Sequence, residues 1–154
     1  MANPELRQSI EELIYRSCMA LDDRDFKAFL ALCEPDFRYK VTAYSPEIRR
    51  DMTWLDHDRK GMETLFTNLP RHNSDHSPLT RHATVYVVEA EGDGAKVTSA
   101  LQVFRTLLDG GATELYAVAR LIDTVRLNGA EPRLAARTVR VETRQLGFGS
   151  HIPF

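Results

Sequence analysis

Five histidines, His57, His72, His76, His82 and His151, are the first residues to weigh for chemistry in this chain of 154 residues. The densest group is His72-Asn73-Ser74-Asp75-His76. Two imidazoles and a carboxylate are the donor set of an iron-binding triad. An i, i+4 histidine pair shares a face only on a helix. This pair lies in loop composition between Pro70 and Pro78, so it reads as a solvated loop. Asp56-His57-Asp58 sends adjacent side chains in divergent directions in either regular structure. His82 sits beside Arg81 on a predicted strand. With Tyr15 and Asp36 it makes the acid/base set that a helix–sheet pocket would need for proton transfer. A hydrogen-bonded buried histidine is the plainer reading of His82. No serine or cysteine nucleophile motif and no glycine-rich phosphate loop occurs. Cys18 and Cys33 fall in predicted helices near apolar faces and read as buried free thiols.

These residues need elements to position them. Asn3-Pro4-Glu5 is a helix start: a capping Asn, a Pro at the first position and an acid near the positive dipole end. Leu6, Ile10, Leu13, Ile14, Ser17, Cys18 and Leu21 then recur near a period of 3.6, which predicts an amphipathic helix to about Leu21. Asp25 caps a second helix that places Phe26, Phe29, Leu30 and Cys33 on one side and stops at Pro35. Phe37–Tyr44 reads as a strand, Ile48–Trp54 as a returning edge strand, and Gly61–Leu69 as a short helix with Met62, Leu65, Phe66 and Leu69 inward.

From Thr80 to Gln145 the chain reads as about four long strands. Tight turns at Glu91-Gly92-Asp93-Gly94, Asp109-Gly110-Gly111 and Asn128-Gly129 join them in an antiparallel meander. Strict alternation puts Ala83, Val85 and Val87 on one face, with Val97, Leu101 and Val103. Leu115, Ala117, Ala119, Leu121 and Val125 complete that aliphatic face, which belongs under the helices. His82, Tyr86, Phe104, Tyr116, Val118, Arg120 and Ile122 share the opposite face. In the last strand Leu134 and Ala136 fall out of phase with Val139 and Val141, which predicts a bulge between them. Aromatics mixed with arginine are what protein interfaces concentrate. The candidate interface set is therefore Phe104, Tyr116, Arg120, Ile122, Arg137, Arg140, Phe148, Ile152 and Phe154. The last three come from the apolar segment Gly147–Phe154, which reads as docked on the domain or on a partner chain.

Bulk composition agrees with one soluble domain, 1–154. Hydrophobic residues make up 43% and charged residues 27%, and the net charge is −2. Such a balance excludes a global pull toward nucleic acid or an anionic membrane. No apolar run approaches the ~20 residues of a membrane span. The N-terminal residues lack the pattern of a signal peptide, so the cytoplasm is the expected compartment.

The order of parts resembles the cone-shaped α+β fold of the nuclear-transport-factor-2-like (NTF2-like, SnoaL-like) and ketosteroid-isomerase-like superfamily, a curved antiparallel or mixed sheet covered on one face by about three N-terminal helices. Within it the chain is similar to the small (β) subunit of Rieske-type ring-hydroxylating oxygenases. The residues that carry this are Ile14-Tyr15 with Leu21-Asp22, Phe26 with Phe29, and Phe37-Arg38-Tyr39. Arg81-His82, Arg137-Thr138-Val139-Arg140 and the Ile152-Pro153-Phe154 ending complete the set. The resemblance implies a non-catalytic assembly subunit, with a catalytic α subunit as partner in a complex of three α and three β chains. It also implies that a Rieske [2Fe-2S] cluster and a mononuclear Fe(II) sit in that α subunit. A Rieske cluster needs two Cys and two His in paired motifs, and Cys18 and Cys33 have no such histidine partners. The stretch Ser45–His76 departs from many family members. The alternative readings are a cofactor-free isomerase, dehydratase or cyclase on the same fold, or a small-molecule binding module. Both need a cavity that Phe29, Leu30 and Phe66 leave open.

Overall fold

The computed structural model describes residues 3–69, 76–129, 131–144 and 153–154. Its elements are α1 (Pro4–Asp22), α2 (Phe26–Ala31), β1 (Cys33–Ser45), β2 (Arg50–Asp58), α3 (Arg59–Asn68), β3 (Leu79–Glu91), β4 (Gly94–Thr106), β5 (Thr113–Arg126) and β6 (Arg133–Val141). Local capping decides where the helices begin. The Asn3 side chain accepts from the Leu6 N–H at 2.8 Å, Asp25 from Ala28 at 3.1 Å, and Asp58 from Gly61 at 2.7 Å. Each satisfies a donor that the first helical turn leaves open. The Asp58 cap starts α3 two residues before the expected Gly61. Helix α2 ends before the expected Pro35, and Cys33 opens β1 instead. Pro35 is tolerated there because the β1–β6 register is interrupted between Cys33 and Arg38.

The six strands form one open mixed sheet in the order β2-β1-β6-β5-β4-β3. Only β1 and β6 run parallel; the other neighbours are antiparallel. The meander is thus β3 to β6, and the first strand returns to pair with the last. One face of this sheet carries the core. Helix α1 lays Ile10, Leu13, Ile14, Ser17, Cys18 and Leu21 onto it. Phe26 stacks on Phe66 at 4.2 Å between centroids, and Phe29 meets Phe37 and Phe66 edge-on at 6.1 Å. Phe29 and Phe66 are buried and Leu30 packs against them.

Four bulges set which residues reach that face. The pairs Val85↔Ser99 and Val87↔Thr98 leave Tyr86 without an opposite residue. Val103↔Ala117 and Phe104↔Leu115 do the same for Tyr116, and Thr124↔Ala136 and Val125↔Leu134 for Ala135. The fourth falls at Trp54 in β2. An extra residue reverses the inward phase beyond it. Two alternation-based assignments are corrected on this ground. Val87 faces out and Val88 faces in, while Leu115 is 53% exposed and Tyr116 only 6%. Strand β6 does carry a bulge, but at Ala135, ahead of the expected place between Ala136 and Val139, and it lets Leu134, Val139 and Val141 all face inward.

Candidate functional site

Two places in the fold gather polar and aromatic side chains: the interior between helices and sheet, and the opposite, open sheet face. In the interior, Asp123 on β5 and Arg137 on β6 stand directly opposite each other. Arg137 donates through Nε to Asp123 Oδ1 at 2.7 Å and through Nη2 to Oδ2 at 3.1 Å. Its Nη2 also reaches Ser17 Oγ on α1 at 2.9 Å. Ser17 in turn donates to the Ile14 carbonyl at 2.6 Å. Both charged side chains are at most 1% exposed. Burial works against the guanidinium charge, but attraction to Asp123 outweighs it and the Arg137 pKa is raised.

A second cluster lies where β3 begins. Arg81 Nη1 donates to Asp22 Oδ1 at 2.8 Å, and the Arg81 backbone N–H reaches the same oxygen at 3.0 Å. Burial pushes the Asp22 carboxyl up by more than its bonds to Arg81 pull it down. Arg81 Nη2 donates to the Pro153 carbonyl at 2.6 Å. The buried Tyr39 hydroxyl accepts from the Phe154 N–H at 2.9 Å and donates to the Phe154 main-chain oxygen at 3.3 Å. The Phe154 ring sits beside Tyr116, 6.3 Å between centroids, and Arg105 lies over the Tyr116 ring at 4.8 Å. Burial raises the Tyr39 pKa.

The acid/base set does not converge. Tyr15 lies at the seam of α1 and β3, where its hydroxyl accepts from the Val85 N–H at 3.4 Å. Asp36 is on the surface, paired through both oxygens with Arg126 at 2.6 and 2.8 Å. The Arg126 hydrogen bonds hold its carboxyl below the ordinary range. His82 is exposed on the outer sheet face, 5.2 Å from the Phe104 ring. It is Arg81, one residue earlier, that points inward. His72, Asp75 and His151 lie outside the described residues, and His76 is exposed. Among the described residues no three His, Cys, Asp or Glu side chains group as a metal site. Cys18 and Cys33 are free and buried; burial pushes the Cys33 thiol up to about 12.

The outer face carries Phe104, Arg120, Ile122 and Arg140 of the expected interface set, joined by Tyr86, Leu115 and Val118. Arg120 and Arg140 stand directly opposite each other. Arg120 lies over the Tyr86 ring at 5.6 Å. Among the described residues no carboxylate forms an ion pair with either arginine. Like charges directly opposed across a ladder are unfavourable, by up to ~1 kcal/mol. Tyr86, Leu115 and Val118 are large apolar side chains left exposed there. Three members of the expected set, Tyr116, Arg137 and Phe154, are buried inside the chain; for Phe154 this is the docking on the domain that its segment's composition allowed. Tyr116 is the bulge residue, Arg137 answers Asp123, and Phe154 docks on Tyr39. Phe148 and Ile152 lie outside the described residues. Leu115 had no signal in strict alternation. Arg137 did have one, because it shares the phase of Val139 and Val141.

Helices laid on one face of an open six-stranded mixed sheet are the architecture of the SnoaL-like class of domain. The SnoaL-like domain family matches residues 3–138. The chain is 43% identical to the β subunit of the hydroxylase of methanesulfonate monooxygenase from Methylosulfonomonas methylovora, covering 94% of this chain and 85% of that one. It is 32% identical to the β subunit of 2-aminobenzenesulfonate 2,3-dioxygenase from Alcaligenes sp, covering 94% and 97%. Among solved structures, a chain from Novosphingobium aromaticivorans assigned as the β subunit of an aromatic-ring-hydroxylating dioxygenase superposes with a TM-score of 0.79. Identity there is 20% over 90% of each chain. The chain belongs to the SnoaL-like family, in the branch that holds oxygenase β subunits.

Proposed function

We infer that the chain is the β subunit of the terminal oxygenase component of a Rieske-type oxygenase, and that it acts in assembly. The observation that carries this reading is its similarity, over 94% of its length, to β subunits of two such enzymes. The outer sheet face supplies the physical counterpart, an exposed field of aromatic, aliphatic and arginine side chains of the kind interfaces use. In this reading the partner α subunit carries the Rieske [2Fe-2S] cluster and the mononuclear iron. Three α and three β chains assemble in the cytoplasm. Phe104, Arg120, Ile122 and Arg140 contact a neighbouring chain.

The substrate class follows from the same relatives. Both named enzymes act on organosulfonates, one aliphatic and one aromatic. The β subunit of benzene 1,2-dioxygenase stands further off, at 27% identity. A sulfonate is therefore the proposed substrate of the complex. A cofactor-free isomerase, a dehydratase or a binding module would need an open pocket, and a catalyst would also need converging acid and base groups. Nothing in the described interior favours either reading.

Co-expression with an oxygenase α subunit from the same source is the test. The expected product is a complex several times larger than either chain by light scattering, with iron and oxygenation of a sulfonate only in the complex. Recovery of this chain as a lone monomer from that co-expression overturns the assembly reading. Turnover of arenes but not sulfonates overturns the substrate class alone.

A further inference from the structure

At several surface positions this chain answers an arginine with a carboxylate of its own. Arg7, Arg38, Arg126 and Arg144 pair with Glu11, Asp56, Asp36 and Glu47. Arg120 and Arg140 are left without one, although each stands directly opposite the other on the outer face. Lys40 on β1 adds a third cation there: Thr42 is the residue opposite Arg140, and Lys40 lies one same-face position along. Asp56, opposite Lys40, is held by Arg38 at 3.0 Å. Glu142 is exposed two residues beyond Arg140, and among the described residues no ion pair joins it to either arginine. The apolar side chains around the two arginines are open as well. Tyr86, whose ring lies 5.6 Å from the Arg120 guanidinium, and Val118 are exposed, and Ile122 is half-buried.

Like charges opposed across a ladder repel in the isolated chain, and an anion between the two guanidiniums turns that repulsion into attraction. A carboxylate has two oxygens, so a single one can accept from both arginines. A small free anion gains little there, as exposed ion pairs do. A carboxylate that arrives on a body covering Tyr86, Val118 and Ile122 shuts water out, and its attraction to the arginines grows. A second copy of this face does not serve, because a two-fold contact of the face with itself gathers both arginine pairs. The opposing surface is therefore a different one, and acidic. We propose that Arg120 and Arg140 together receive one Asp or Glu carboxylate of the α subunit, carried on a segment whose apolar side chains cover Tyr86, Val118 and Ile122. The proposal rests on the reading of the chain as an oxygenase β subunit and adds the chemistry of the contact.

Carbodiimide joins a lysine amine to a carboxyl in contact with it and leaves arginine untouched. Arg140→Lys keeps the charge and supplies the amine. The complex of this variant with the α subunit from the same source is treated with carbodiimide, digested and read by mass spectrometry. A cross-link from position 140 to an Asp or Glu of the α subunit, absent from the wild-type complex, is expected. A link from that position only to Glu142 or to a second copy of this chain, or no link in an intact complex, overturns the proposal. Sedimentation gives the second arm. Arg120→Gln with Arg140→Gln should weaken association at least ~10-fold at ~0.05 M salt, and that loss should shrink at ~0.5 M. The urea midpoint of the double variant should not fall, because the substitutions remove a repulsion. A fall together with lost binding assigns the two arginines to the fold and overturns the proposal. An intact complex whose affinity is unchanged by the double substitution overturns the carboxylate contact and leaves the assembly reading standing. Failure of the wild-type chain to join the α subunit overturns the assembly reading, and this contact with it.

Discussion

The two faces of the sheet carry similar side chains and dispose of them in opposite ways. On the inner face, Arg81 and Arg137 each meet a carboxylate, Asp22 and Asp123, the Tyr39 hydroxyl meets the Phe154 backbone, and the Phe154 ring sits beside Tyr116. On the outer face, Arg120 and Arg140 confront each other, and Tyr86 stands half exposed beside them. The inner residues are matched within one chain; the outer ones are not. A protein that recruits another can keep its own fold settled while leaving one surface to be matched from outside. The difference between the faces is thus a difference in where the partner lies, and each face has its own way of failing.

The largest effect belongs to the inner pair. Arg137→Leu leaves the Asp123 carboxyl buried without its charge partner, which costs about 3–5 kcal/mol. Urea unfolding of the isolated chain measures this through its midpoint. Replacing both partners, Asp123→Leu with Arg137→Met, should restore most of the stability, because buried pairs exchange for apolar groups at little net cost. If the single variant loses less than ~1 kcal/mol, the pair is not as sealed from water as its geometry indicates.

Arg120→Glu makes the opposite kind of change. It turns a like-charge confrontation with Arg140 into an attraction, so the isolated chain should gain a few tenths of a kcal/mol, up to ~1. Association with the partner should weaken by at least ~10-fold, or about 1.4 kcal/mol. The two readouts therefore move in opposite directions. Loss of stability together with loss of binding would mean that Arg120 serves the fold, and the contrast between the faces would fall at that residue. Titration of the α subunit against this chain, read by sedimentation, separates the two.

How far the sequence reveals this contrast depends on the bulges. Helix caps at Asn3, Asp25 and Asp58 and the glycine turns are local signals. Gly92 and Gly110 occupy the positive φ their turns require, +61° and +78°. Strand phase is a running count, and one uncounted residue corrupts everything beyond it. In β6 the error is visible because the polar Arg137 and Thr138 separate Leu134 from Val139. In Val85-Tyr86-Val87-Val88 and Leu115-Tyr116-Ala117 every residue is apolar, so alternation continues on paper through a real reversal. The interior ion pair was legible by phase, since Asp123 lies between Leu121 and Val125. Its charge argued for solvent, and only the facing Arg137 reverses that argument. That Phe154 docks was legible in the apolar composition of its segment, but its seat on Tyr39, 115 residues away in the chain, left no local pattern.

Thiol chemistry sharpens the inner side further. Cys33 ionises only near pH 12, because burial removes the thiolate from water. Cys18 is shifted the same way. At pH 8 neither offers a thiolate to a disulfide reagent. Native chain should stay unlabelled over the time in which chain in denaturant reacts completely. Rapid labelling of native Cys18 would show that α1 lifts from the sheet, and the interior would no longer count as closed.

The smallest effect lies at the far edge, where Glu47 pairs with Arg144 at 2.9 and 3.0 Å and accepts from Ser45 Oγ at 2.9 Å. Hydrogen bonds from Arg144 lead in holding its carboxyl at about 2, against an ordinary value of 4.5. A carboxylate whose folded pKa is depressed stabilises the fold above its unfolded pKa. Between 4.5 and about 2 the unfolded chain takes up a proton that the folded chain refuses, so the contribution drains away as pH falls. Below about 2 both states are protonated and nothing remains. Both side chains are exposed, so solvent and salt screen the pair. Carboxyl carbon shifts of Glu47, followed from pH 6 to pH 1.5 by NMR (about the range the linkage requires), should give a midpoint that rises toward the ordinary value in ~1 M salt. A midpoint insensitive to salt would mean that the pair is shielded. The edge at Ser45–Glu47 would then belong with the matched interior and not with the open surface.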